Sequence, residues 1–549
     1  ELRSGVTATC AEAKKPHNKN KNRFVNIIAY DHTRVVLATE SGNDDYINAN
    51  HIMGYQQKEK VYIACQGPKD WTIEAMWRMI WQEKTNTIVM LANLYEDGKE
   101  KCNRYWPEKG KTQTWGHFIA ESVSEEKFAD YVIREFRLKN EAMKKMRKIR
   151  QLHFTAWPDK GTPEYAYPLL AFHRKVRSFD TERRGPLLVH CSAGVGRTGT
   201  FIAIDILTQQ AAAEGAVDVF ECVNLLRTQR ISMVQTLDQY VYVYQAIIES
   251  SEVTVVPSSQ LKDAFDELCR DTKLSKQFQH LNALKPLTKT THCAALEPSN
   301  VGKNRVIEII PDDQHRPYLM TPYKEGNNYI NAVFVHGYKE RNAYIVAQSP
   351  MTSTVVDMWR LLYDHESHTV IMLDVESDTD DCATYWPVKK DDKSQYGPFE
   401  VELLETNVSE NANVTVREFK LIKSARSSGD PTVVKHFHLK SGWTKAESVP
   451  GTKTVVLDLL DLVEKWQQQS GNGPITMHCP DGAGRCGLVC AASYMLEHLK
   501  IEQEVDVFHA VQHVRTTRPQ LVNDLSQYRF LYELALAYMS QFDTYANFQ

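Results

Sequence analysis

Pro186-Leu187-Leu188-Val189-His190-Cys191-Ser192-Ala193-Gly194-Val195-Gly196-Arg197-Thr198-Gly199 is an apolar run that ends on a cysteine and passes into a glycine-rich turn. Pro186–His190 reads as a buried strand and Thr200–Ala213 as a helix, so Cys191 sits at a strand-to-helix turn. Glycines at 194, 196 and 199 let the backbone N–H groups fold inward and form a nest for a phosphoryl group at a helix N-terminus. Arg197 can grip two phosphoryl oxygens at once. The same positive field favours the thiolate of Cys191, which is the form that attacks phosphorus. A cysteine before a glycine-rich turn is often only a buried core residue. The complete string, placed after an apolar strand, outweighs that reading.

Outward from this stretch the chain repeats itself. Lys21-Asn22-Arg23 recurs as Lys303-Asn304-Arg305, Tyr46-Ile47-Asn48-Ala49 as Tyr329-Ile330-Asn331-Ala332, and Tyr105-Trp106-Pro107 as Tyr385-Trp386-Pro387. His190-Cys191 recurs as His478-Cys479, and Gln239-Tyr240 as Gln527-Tyr528. The offsets are 305−23=282, 329−46=283, 385−105=280, 479−191=288 and 528−240=288. A nearly constant shift of this size marks a duplicated domain with loop insertions. The joint falls near Ser250–Gln260, where Pro257-Ser258-Ser259 interrupts two helical stretches. The expected domains are 1–253 and 254–549, on a short linker that holds them close. Trp71–Lys84 reads as a helix and Thr87–Leu91 as a buried strand, which makes each copy an α/β domain.

The 549 residues exceed one ordinary core. The composition, 42% hydrophobic and 24% charged, is that of a folded globular protein, and the formal net charge of -4 gives no sign of nucleic-acid binding. The 11 cysteines show neither disulfide-like nor metal-like spacing, so the thiols are expected to be reduced. No apolar run approaches the roughly 18 residues of a membrane span. The basic stretch Lys139, Lys144, Lys145, Arg147, Lys148 and Arg150 reads as a solvated hairpin face rather than an anion-binding patch.

The string Val189–Gly199 resembles the signature of the classical protein tyrosine phosphatases, and the resemblance covers both copies nearly end to end. It implies two tandem phosphatase domains, each a twisted mixed sheet flanked by helices with a Cys-to-Arg phosphate loop at a strand-to-helix turn. The tandem layout is similar to the intracellular part of a receptor-type member. Val505–Val511 is similar to the MAM-containing receptor subfamily.

The resemblance implies roles residue by residue. Cys191 is the nucleophile and Arg197 the phosphate clamp, with Ser192, Ala193, Gly194, Val195 and Gly196 as the nest. Trp157-Pro158-Asp159 resembles the mobile acid loop, in which Asp159 protonates the leaving tyrosine oxygen and then serves as base for water. The family's His after that Asp is Lys160 here. Phe24, where the family usually has Tyr, would stack on the substrate ring. Gln235 and Gln239 would position the hydrolytic water, and Thr198 would steady the thiolate. Glu96 would pair with Arg197, Lys101 would brace the same loop, and His190 would support the Cys loop. No cofactor or metal is implied.

The second copy keeps Cys479, Arg485, Glu376 and Gln527 but has lost much else. Its acid loop reads Gly442-Trp443-Thr444-Lys445-Ala446-Glu447, with no Asp at the acid position. Val306 stands for the stacking aromatic, Asn523 for the water-positioning Gln, Cys486 for Thr198 and Asp381 for the brace Lys. Asp481 next to the nest disfavours a phosphate dianion by like-charge repulsion. The second copy is therefore expected to be an inactive regulatory or scaffolding domain that docks within or between chains. A lesser expectation is a redox sensor at an exposed, low-pKa Cys479 beside Cys486.

The resemblance implies phosphotyrosine-containing proteins as substrates and no nucleic-acid partner. It places the chain on the cytoplasmic side of the plasma membrane, as the intracellular part of a single-pass receptor with no span of its own. Two competing readings are a pure phosphotyrosine-binding module and a dual-specificity or phosphoinositide phosphatase. Asp159 and Gln235 argue against the first, and Phe24 on its Lys-Asn-Arg loop against the second.

Overall fold

Short runs with almost no polar interruption form the centre of each sheet. In the first half, Tyr62–Cys65, Leu187–His190 and Thr87–Met90 run parallel and are buried at every position. Strands covered on both faces read as continuous apolar runs rather than alternating ones. Lys145–Phe154 extends the parallel set beside Thr87–Met90. The sheet then continues antiparallel in both directions, through Tyr46–Ile52 to Arg34–Val36 on one side. On the other it passes through Tyr131–Asn140 and Phe118–Lys127 to Thr112–Trp115.

The computed structural model describes residues 2, 5–38, 44–251, 254–284, 290–324, 327–374, 382–409, 413–423, 431–440, 443–444, 447–471 and 473–546. The chain divides into two units, Glu1–Val253 and Thr254–Gln549. Each is α/β with a mixed sheet flanked by helices. The second unit's sheet runs Ala332–Val335, Tyr344–Gln348, Ile475–Cys479, Thr369–Met372, Thr432–Leu439, Val414–Lys423, Phe399–Val408, Lys393–Tyr396. That is the first unit's order without its outermost strand.

Helix Ile73–Gln82 places Ile73, Met76, Trp77 and Ile80 on one side, the spacing of a single helical face. That face packs on Ile63, Ile88, Leu188, Phe118 and Phe136. On the sheet's other side, helix Tyr167–Ser178 sets Phe172 against Phe154 of the sheet and Phe201 of helix Gly196–Glu214. The latter helix also packs on Val219–Gln229 and Leu237–Ser250.

Three details differ from the sequence reading. The helix expected over Thr200–Ala213 begins at Gly196, so Arg197 lies in its first turn. Of the helix read over Trp71–Lys84, Trp71 and Thr72 belong to a 3-10 turn, Asp70–Thr72, and the α-helix itself spans Ile73–Gln82. The joint is only partly a linker: Val256–Pro257 pairs antiparallel with Glu504–Val505, and Thr254 Oγ1 donates to Asp506. This segment therefore belongs to the second unit, because its backbone is satisfied there.

The basic hairpin is solvated at Lys139, Lys144, Lys145 and Lys148. Arg150 departs from the expectation. It is buried, paired with Glu135 at 3.1 Å and Glu182 at 3.0 Å, with its guanidinium over Phe179. Among the described residues no helix is long and apolar enough to cross a membrane. Glu376, Asp381, Gly442, Lys445 and Ala446 lie outside the described residues.

Candidate active site

The loop after Cys191 turns its carbonyls outward. Ser192 O accepts from Gly67 N at 2.9 Å, Ala193 O and Gly194 O accept from Arg230 at 3.1 and 2.8 Å, and Val195 O accepts from Gly199 N and Val234 N. With the carbonyls committed to the surroundings, the peptide N–H groups face the enclosed side. Gly194 makes the turn at φ +72°, and a Cβ there would lie 2.0 Å from Cys65 O. No other residue fits that corner.

Two donors converge on the sulfur: Gly194 N at 3.3 Å and Thr198 Oγ1 at 3.2 Å. Cys191 is 5% exposed, in the floor of the loop.

Arg197 is shared among three supports, and its NH1 donates to Leu91 O at 3.1 Å. Its NH1 and NH2 fork onto Glu96 at 2.6 and 2.9 Å, and NH2 also donates to Pro158 O at 3.1 Å. Glu96 is buried, accepts from Asn93 N, and has Lys101 Nζ at 3.9 Å. Glu96, Lys101 and Arg197 thus form one ion cluster. Through Pro158 it touches the loop that carries Asp159.

Asp159 is exposed, and its Oδ2 accepts from Asp97 N at 3.0 Å. The loop is anchored by Trp157, which is buried, donates to Gly161 O and lies against Arg197 at 5.6 Å. Lys160, the departure from the family pattern, reaches Asp97 at 3.9 Å in an exposed pair. Such a pair contributes little.

Gln235 and Gln239 both border Gly196. A Cβ at Gly196 would meet the Gln239 amide at 2.9 Å and Gln235 Oε1 at 3.4 Å. They are not equivalent, as the sequence reading made them. Gln239 is buried, and its Oε1 accepts from Gln235 N and Thr236 N in a capping box at the start of helix Leu237–Ser250. Gln235 is exposed toward solvent. Gln239 holds the wall, and Gln235 has the access to water.

Phe24 is 40% exposed. Its loop is tied in through Arg23, whose side chain donates to Gly67 O and Pro68 O and whose N–H donates to Gln66 Oε1. Gly67 in turn donates to Ser192 O.

His190 is fully buried. Gln151 donates to Tyr105 OH at 2.7 Å, so that hydroxyl gives its own proton to His190 Nε2 at 2.8 Å. Nδ1 then carries the hydrogen and faces Cys191 O at 3.4 Å. Burial pushes the His190 pKa down to about 4, and burial with the Arg134 charge pushes His153 down to about 3. These shifts keep both rings neutral at neutral pH. The unfolded chain takes up these protons near pH 6.5, whereas the folded chain waits until about pH 4 and about pH 3. Stability is therefore complete above pH 6.5 and falls as pH drops from there toward the folded values. His190 alone should contribute on the order of 3 kcal/mol across that window. The urea midpoint should be lower at pH 5 than at pH 7, with a smaller difference in His190→Gln; an unchanged midpoint would contradict the assignment.

Arg230 was missed in the sequence. It is fully buried and, besides the loop carbonyls, donates to Asn50 and Asn48. It holds the nest in shape. A signal was present: Arg230 recurs as Arg518 at 518−230=288, the offset of the cysteines. Arg518 likewise donates to Gly482 O and Asn331.

The second unit repeats the loop but fills it. Asp481 Oδ1 accepts from Ala483 N at 2.9 Å and Gly484 N at 3.1 Å, and the Cys479 thiol donates to the same oxygen at 3.1 Å. Ala483 and Gly484 correspond to Val195 and Gly196 (483−195=288). The effect is stronger than the repulsion expected from sequence, because a resident carboxylate sits on the peptide N–H groups. Arg485 donates to Leu373 O, and Gln527 to Gly484 O and Ser448 O. Val306 is half-buried and Asn523 exposed. The expectation of an exposed Cys479 is corrected: the residue is completely buried, and burial pushes Cys486 well up.

The sequence model of the protein-tyrosine phosphatase family matches residues 18–249 and 300–537. Over 564 residues the chain is 39% identical to human receptor-type tyrosine-protein phosphatase alpha, covering 99% of this chain and 69% of that protein. It is 39% identical to human receptor-type tyrosine-protein phosphatase epsilon over 99% of this chain and 79% of that protein. Against receptor-type tyrosine-protein phosphatase U of Gallus gallus the identity is 36%, over 97% of this chain and 38% of that protein. These near-equal identities do not single out one receptor subfamily.

Proposed function

This chain belongs to the protein-tyrosine phosphatase family, in the receptor-type tandem arrangement, and on that premise we propose that its first domain hydrolyses phosphotyrosine on proteins through a cysteinyl-phosphate on Cys191 while its second domain does not turn over. The observation that carries the reading is the contrast between the two sulfurs. Cys191 receives two hydrogen bonds, whereas Cys479 gives one to a carboxylate lodged in its own nest.

In the first step the Cys191 thiolate attacks phosphorus and the bond to the tyrosine oxygen breaks. Asp159 gives its proton to the departing phenolate oxygen. The nest N–H groups and Arg197 hold the equatorial oxygens, where charge is spread in the transition state. To grip two oxygens Arg197 must give up Pro158 O, which couples phosphate binding to the acid loop. In the second step Gln235 holds a water in line with the S–P bond. Asp159 takes its proton, the water oxygen bonds phosphorus, and the Cys191 thiolate leaves. Phe24, on a loop anchored by Arg23, supplies a ring wall that a phosphotyrosine reaches past and a shorter phosphoserine does not.

The second domain is a folded regulatory or scaffolding partner in this reading. The chain acts on the cytoplasmic side of a membrane as the inner part of a receptor. Turnover of a phosphotyrosine peptide by a Cys479→Ser chain should stay within about twofold of the parent, with no phosphoserine turnover by either. A collapse in rate would place catalysis in the second domain. Asp481→Ala should free the second nest, so that tungstate binds with a stoichiometry of two per chain by calorimetry rather than one. A stoichiometry that stays at one in a folded Asp481→Ala chain would remove Asp481 as the plug.

A further inference from the structure

Behind the Cys479 strand the second domain carries a group that the first lacks. Ser349 and Asp374 stand where the first domain has Gly67 and Ala92 (349−67=282, 374−92=282). Cys382 and His478 correspond to Cys102 and His190 (382−102=280, 478−190=288). An inherited Cys–His pair has thus acquired a carboxylate and a hydroxyl.

One donor atom each from Asp374, Cys382 and His478 lie within 4.8 Å of one another. Asp374 Oδ2 is 3.2 Å from His478 Nδ1 and accepts from Ser349 Oγ at 2.5 Å, and Ser349 Oγ is 2.9 Å from that Nδ1. Two ligand atoms on one tetrahedral Zn²⁺, each about 2.0–2.3 Å from it, stand about 3.3–3.8 Å apart. The Asp374–His478 pair already stands near that spacing, Ser349 Oγ lies at hydrogen-bond distance from both, and the Cys382 sulfur is within 4.8 Å of the pair. Asp374 is 1% exposed, and among the described residues its Oδ1 has no hydrogen-bond partner beyond the neighbouring Cys382 thiol. A buried carboxylate oxygen with no other donor is costly.

The surroundings fix the orientation. His478 Nε2 is held by Tyr385 OH at 2.9 Å, and that hydroxyl also meets His436 Nε2 at 3.0 Å. Such an outer hydrogen bond sets a ring so that its other nitrogen can ligate. His438 Nε2 pairs with the Asp374 carbonyl at 2.8 Å and fixes the ligand's backbone. Cys382 is partly exposed, which gives an ion a way in.

We propose that Asp374, Cys382 and His478 form a Zn²⁺ site in the second domain, with Ser349 Oγ orienting the carboxylate and a water completing the four-coordinate shell. The mixed sulfur, nitrogen and oxygen donors suit Zn²⁺ and not Mg²⁺ or Ca²⁺, which take oxygen ligands. On binding, the Cys382 thiol proton goes to solvent and the sulfur ligates as thiolate. The ion fastens the segment at Cys382 to the strand that ends in Cys479.

The test uses the full chain carrying Cys191→Ser, so that the first domain's thiolate does not compete for metal. It is equilibrated with Co²⁺ without thiol reductant, desalted and assayed for metal. One equivalent of cobalt with a thiolate-to-cobalt charge-transfer band is expected. Both should be lost in Cys382→Ala and in Asp374→Ala, the latter copying the first domain's Ala92. With Zn²⁺ loaded, chelation should lower the second domain's thermal midpoint in the parent but not in Cys382→Ala. Equal metal content in parent and Cys382→Ala, or bound cobalt with no thiolate band, would overturn the site. Cys382 is only partly buried, so its variant keeps the test decisive if Asp374→Ala does not fold.

Discussion

A chain carrying Cys191→Ser should lose phosphotyrosine turnover by on the order of 10⁴–10⁶-fold and still bind the phosphopeptide. The binding half follows from who holds the nest. Arg230, Gly67, Gly199 and Val234 fix the loop carbonyls, and Arg197 is set by Glu96; none of these contacts uses the sulfur. The catalytic half follows from the nucleophile. A serine hydroxyl in that place could receive the bonds from Gly194 N and Thr198, but with no base beside it would stay protonated. His190 does not supply that base, since its Nε2 is occupied by Tyr105 and its Nδ1 faces a carbonyl. Calorimetry with the peptide and a turnover assay on the same sample separate the two halves. Lost affinity would mean that the sulfur shapes the nest; turnover in clean protein well above that expected remainder would end the covalent mechanism.

Asp159→Ala should lower kcat by roughly 10²–10⁴-fold with little change in peptide affinity. The carboxylate rests on Asp97 N, outside the nest, and takes no part in holding it. Its removal costs the proton for the leaving oxygen and leaves the anion contacts intact. The loss should shrink for an aryl phosphate whose phenol is acidic enough to depart without help. Equal loss on good and poor leaving groups would assign Asp159 to loop structure instead, and an unchanged kcat would place the acid elsewhere.

Much of this was legible in the residues. The apolar strand into Cys191, the three glycines and the spacing to Arg197 are local signals, and the loop they predict is formed. The pairing of Glu96 with Arg197, across a sequence gap of 101, was available only through the resemblance. Arg230 escaped because a lone Arg in a polar stretch looks like a surface residue; its partners Asn48 and Asn50 are some 180 residues away. Gln235 and Gln239 looked interchangeable, since sequence does not say which amide is used to cap its own helix. Asp481 was read by its charge alone. Its side chain is short enough to fold back onto the N–H groups two and three residues on, the local bonding that aspartate favours.

The central claim, one working nucleophile in a chain with two cysteine loops, is tested most directly by trapping the intermediate. A Gln235→Ala chain, slowed in hydrolysis, would be mixed with phosphotyrosine peptide labelled on phosphorus, quenched in acid within the first turnover and mapped by peptide. The account predicts label on the sulfur of Cys191 and none on Cys479. Label on Cys479, or steady turnover with no labelled sulfur, would contradict it.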